Sequence, residues 1–132
     1  MNEAIDQILI DHKSFSWKDS QGQDAWTVFT PSFTSLTLVG AATYTGRLHV
    51  IGKQCFAQVT LLAATSIAST AGTTYMTLPI TARGIAGGGT MSNLTTNVAV
   101  GVGVIDAVNG RFYLPSQAAN GSTFSLEMWW EI

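Results

Sequence analysis

The stretch "KQCFAQVTLLAA", residues 53–64, decides the fold class. Cys55, Ala57, Val59 and Leu61 recur at every second position, and Gln54, Phe56, Gln58 and Thr60 fill the places between. A side-chain period of two marks a strand with one face buried and the other turned outward. A helix burying one face would instead place its apolar residues three and four apart.

The same reading extends in both directions. "WTVFT" (26–30) is aromatic and β-branched, and Pro31 stops it before "FTSLTLVG" (33–40). "ATYTGRLHVIG" (42–52) precedes the deciding stretch. "TTYMTLP" (73–79), "NVAVGVGVID" (97–106), "GRFYLP" (110–115) and "STFSLEMWWEI" (122–132) follow it. In the last of these, Phe124, Leu126, Met128 and Trp130 share the inward face. Asn109-Gly110 and Asn120-Gly121 signal tight turns, because Asn and Gly tolerate positive φ. About eight strands separated by short turns, with no alternating helices, predict an all-β, antiparallel β-sandwich of jelly-roll type.

The first 24 residues differ. They hold five of the eight acidic residues, and Ile5, Ile8, Leu9 and His12 fall at helical spacing. A helix so short is marginal without a surface to pack on. The chain therefore divides into residues 1–24, a short N-terminal helix or extended arm for attachment or oligomerisation, and residues 25–132, the sandwich.

Composition bounds the function. Charged residues make up 11% of the 132 and the formal net charge is -2. Apolar residues are plentiful, so the chain folds. Arg47, Lys53, Arg83 and Arg111 are the only basic residues after position 24 and are scattered, so no cationic field draws nucleic acid. No apolar run is long enough to span a membrane as a helix. The opening "MNEAIDQILIDHK" lacks the basic start of a secretory signal. Cys55, the single cysteine, reads as a buried thiol.

"TLPITARGIAGGGTMSN", residues 77–93, resembles a phosphate-binding loop only in its glycines. A P-loop requires Gly-Lys-Ser/Thr, and a dinucleotide loop requires a following helix. Thr90-Met91 and a strand-like continuation stand here instead. The stretch is expected to be a loop joining two strands at the end of the sandwich, with Arg83 as a contact residue.

Catalytic constellations are weak. Glu127 and Glu131 lie four residues apart on one strand, roughly 13 Å, too far for a glycosidase pair. His12 and His49 are distant in sequence, no Gly-x-Ser-x-Gly elbow occurs, and no metal-ligand spacing appears. No enzyme activity, cofactor or metal is expected. Two other features point to contact surfaces. Ala99, Gly101 and Gly103 line one face of a strand otherwise built of valine, and glycine in a strand marks a close approach. That approach is either internal packing or a subunit contact. Trp129, adjacent to the inward Trp130, faces outward with Glu127, a pairing suited to a sugar ring or to a protein interface.

Five features carry a resemblance: Phe29-Thr30-Pro31, Tyr44, Gly52-Lys53 opening a long strand, the Ser/Thr/Gly-rich Thr65 to Thr74, and Leu78-Pro79 ending the next strand. Residues 29–79 resemble the β-sandwich modules of tailed-bacteriophage virion proteins, found at tail-fibre tips and as head-fibre or capsid decoration proteins. "RLHVIG" departs from the usual Arg-Ile/Val-Gly. The resemblance implies a non-enzymatic, commonly trimeric protein on the virion surface, assembled in the host cytoplasm. The N-terminal segment would dock onto a capsid, neck or tail protein through Ile5, Ile8 and Leu9. Arg83, Trp129 and Glu127 would be the residues to meet a host-surface glycan. An opening Met favours a separate small protein over the last piece of a long fibre. The alternative is a lectin-like carbohydrate-binding module outside a virus.

Overall fold

The computed structural model describes residues 26–63, 65–84 and 87–132. The helix or arm expected over residues 1–24, with Ile5, Ile8 and Leu9, lies outside them. Among the described residues the secondary structure is all strand.

Twelve strands form: β1 Thr27–Phe29, β2 Phe33–Thr34, β3 Thr37–Val39, β4 Thr43–Ile51, β5 Gln54–Leu62, β6 Ser66–Ser69, β7 Tyr75–Thr77, β8 Gly87–Asn93, β9 Val98–Asp106, β10 Arg111–Tyr113, β11 Gln117–Asn120 and β12 Thr123–Glu131. Nine make one antiparallel sheet in the order β1-β4-β5-β12-β8-β9-β10-β7-β2, and three make a second, β11-β6-β3. The large sheet curls: Phe33, on its last strand, meets Tyr44, on its second, edge to face with ring centroids 5.6 Å apart. The result is sandwich-like, with the small sheet contributing Leu38, Ile67 and Ala119 to the core.

The alternation that decided the fold is realised. Cys55, Ala57, Val59 and Leu61 of β5 are buried, and across the ladder so are Trp130, Met128, Leu126 and Phe124 of β12. Each pair stacks directly on the same face, the unit from which a sheet core is built. Trp130 is fully buried, and its indole N–H donates to the Ile80 carbonyl at 3.0 Å, which removes the cost of hiding that donor.

Twelve strands stand where about eight were expected. The main correction concerns residues 77–93, which are not one loop. Gly87–Asn93 is β8, a central strand between β12 and β9. Two of its three glycines are fixed by crowding: a Cβ on Gly87 would stand 2.9 Å from the Trp129 carbonyl oxygen, and one on Gly89 would stand 2.7 Å from the Phe112 ring and 2.9 Å from the Met128 Cβ. A glycine strand lacks the side-chain pattern that reveals strands, so β8 was hidden. The turn after it is built by Asn93, whose Oδ1 accepts from the Thr95 and Thr96 amides at 3.0 and 3.2 Å. Asn97 then takes positive φ.

Candidate functional site

The outer face of the large sheet carries two parallel rows of side chains across four strands. On β4, β5, β12 and β8 the first row is His49, Phe56, Trp129 and Gly88, each paired with the next. Two residues along, roughly 6.7 Å away at the usual strand rise, the second row is Arg47, Gln58, Glu127 and Thr90, continued by Val102 of β9. The first row is aromatic and ends at a glycine. The second is polar.

Trp26 closes one end of the groove. Its ring meets His49 edge-on at 4.2 Å, and His49 in turn stacks on Phe56 at 5.2 Å. The Arg47 guanidinium lies over Trp26 at 4.6 Å and donates from Nε to the Gln58 Oε1 at 2.9 Å. With Oε1 engaged, the Gln58 amide nitrogen still carries two N–H donors. Such a stack is worth on the order of 1 kcal/mol per contact and holds the wall in place.

The groove between these walls measures about 660 Å³, within the range of small-molecule clefts. Gly88 leaves its floor open beside Trp129: a Cβ added there meets nothing within 4 Å. Trp129 is 39% exposed, unusually wet for an indole flanked by a second ring. No protein-family model matches the chain, and no curated protein or solved structure does either.

Trp129 and Glu127, singled out from the sequence, thus line one groove. Arg83 does not join them: it is exposed and not among the groove's walls, and its amide donates to the Glu131 carbonyl at 2.8 Å, tying its backbone to the end of β12. On the Ala99, Gly101, Gly103 face the two glycines pack against the chain's own residues. Gly103 is buried beneath the chain's own Phe112, and Gly101 faces Pro115, so the close approach is internal. A register shift between Met91 and Ser92 breaks the alternation of β9, and Ala99 is exposed. The valines opposite are the outward residues, Val102 at 73% and Val104 at 63% exposure.

Trp26, His49, Phe56 and Gln58 were not assembled from the sequence. The outward alternation of β4 and β5 was visible. What was missing was that β12, the last strand, inserts between β5 and β8.

Among the described residues no group of three or more His, Cys, Asp or Glu is placed to hold a metal ion. Glu127 and His49 sit on strands separated by β5, roughly 10 Å at the usual strand spacing. Elsewhere, Asn109 donates from side chain and backbone to Asp106, which holds that carboxyl below its ordinary pKa. The Tyr113 hydroxyl accepts from Arg111 at 3.1 Å while Tyr75 stacks beneath the guanidinium at 4.2 Å.

Proposed function

We propose that the chain is a non-enzymatic surface protein of a tailed-bacteriophage particle, a fibre-like or capsid-decoration β-sandwich that works by contact. It attaches to other virion proteins through residues 1–24, with Ile5, Ile8 and Leu9 as anchors, and assembles as a homo-oligomer, a trimer by preference. Its free surface meets the host.

The observation that carries this reading is the outer sheet face. Trp129 on β12 and Val102 and Val104 on β9 are exposed on the two strands that flank β8. A face of that kind marks a binding surface. The Thr/Ser/Gly-rich composition and the five matched sequence features support the phage assignment. The experiment is attachment of the purified protein to particles that lack it, with solution mass measured alongside. Attachment that is lost with Ile5→Asp/Ile8→Asp, and a mass of three chains, is the expected result. A monomer that binds no particle fails the reading.

The groove itself favours a second reading, a lectin-like module outside a virus, because an indole beside a carboxylate suits a sugar ring. Saccharide binding without particle attachment would select it.

A further inference from the structure

The groove on the outer face combines three features that no single packing need explains. Its first row presents aromatic surface, Phe56 and Trp129, to solvent. Its second row, one step along the strands, presents an amide, a carboxylate and a hydroxyl: Gln58, Glu127 and Thr90. Between Trp129 and the exposed valines, Gly88 leaves an open slot that a side chain could enter without collision.

An occupant must therefore be amphipathic across its own width. It needs an apolar face about the size of one ring, and hydroxyl groups within reach of a row roughly 6.7 Å away. A pyranose ring has this shape, with C–H bonds on one face and hydroxyls around the edge. Aromatic stacking takes the face and hydrogen bonds take the edge. Charge narrows the class. Glu127 opposes a carboxylate or sulfate, and the Arg47 guanidinium is held by Gln58 and Trp26.

We propose that this groove binds short chains of neutral pyranose sugars. Trp129 is the stacking surface, Glu127 and Thr90 accept from hydroxyls, and Gln58 donates to them. The proposal deepens the contact reading above and rests on it only for the outer face being a contact surface.

The test uses the full chain and calorimetric titration with neutral trisaccharides of glucose, galactose, mannose and N-acetylglucosamine, and with sialyllactose as the acidic probe. At least one neutral trisaccharide binds saturably at millimolar concentration or below, and sialyllactose does not. Trp129→Ala and Gly88→Val each weaken that binding by about tenfold or more, the scale of one lost stacking contact. Gly88→Val is the decisive variant, because valine suits a strand and the slot is empty, so the fold persists while the site fills. No neutral trisaccharide bound, or binding unchanged in Gly88→Val, overturns the proposal. So does a preference for sialyllactose. A change of solution mass in Gly88→Val with no saccharide bound also overturns it and makes the groove a contact between copies. Particle attachment is measured on the same variant. If it survives while saccharide binding never occurs, the ligand proposal fails and the virion reading stands. The converse sinks the virion reading alone.

Discussion

The Phe112 ring occupies the space where a Cβ on Gly103 would stand, and the Tyr113 carbonyl oxygen is 2.7 Å from the same point. Glycine at 103 is therefore a packing requirement rather than a turn. Gly103→Ala should destabilise the chain by about 2–3 kcal/mol or more, the upper range for overpacking against a ring and a backbone. Gly88→Ala, on a neighbouring strand with open space above it, should be neutral or stabilise by up to about 1 kcal/mol, since alanine loses less entropy on folding. Urea unfolding of the two variants checks the contrast.

Adjacent tryptophans should behave oppositely. Trp130 is fully buried and donates to the Ile80 carbonyl, so Trp130→Ala should cost about 3–5 kcal/mol. Trp129 is exposed in the groove, and Trp129→Ala should cost about 1 kcal/mol or less. Thermal unfolding separates the two: a fall of many degrees for the first, a small one for the second.

Thr74 is fully buried, yet its hydroxyl is satisfied twice. It accepts from the Thr70 amide at 2.9 Å and donates to the Ser35 carbonyl at 2.9 Å. Thr74→Val keeps the shape and strands both partners. A loss of about 1–3 kcal/mol is expected, against about half that for Thr74→Ser, which keeps the hydroxyl. Denaturant midpoints of the pair check the ordering.

The sequence carried the sheet wherever side chains alternate. Cys55 to Leu61 and Phe124 to Trp130 were legible because each strand has a full apolar row, and the two rows lie side by side on the same buried face. Gly87–Gly89 were not, because three residues without side chains have no period to detect, and the crowding at Gly87 and Gly89 comes from β9, β10 and β12, far along the chain. On β9 the alternation left open whether the glycine face meets its own sheet or a sister subunit; Phe112 packs over Gly103, and Val102 and Val104 lie on the exposed face. Of the groove, Trp129 and Glu127 were legible as an outward pair. Phe56, His49 and Trp26 were not placed with them, because strand order depends on how the ends of the chain meet.

Cys55 provides the last test. It lies on β5 opposite Val50 and Trp130 with no exposed surface, and burial pushes its thiol up to about 11. The thiol is thus neutral in the fold well above the pH at which an exposed thiol ionises. From about pH 9 to pH 11 the unfolded chain releases this proton and the folded chain keeps it. Stability linked to Cys55 is therefore fully present below pH 9 and is lost as pH rises through 11. At about pH 10 the loss should be on the order of 1 kcal/mol. Other groups titrate there too, so the measurement is the difference between the parent and Cys55→Ala, each unfolded in urea at about pH 8 and pH 10. The parent should lose more stability than the variant over that interval. Equal losses would mean that the thiol reaches water in the folded state. Slow labelling by a thiol reagent at about pH 8, becoming fast only in denaturant, should accompany it.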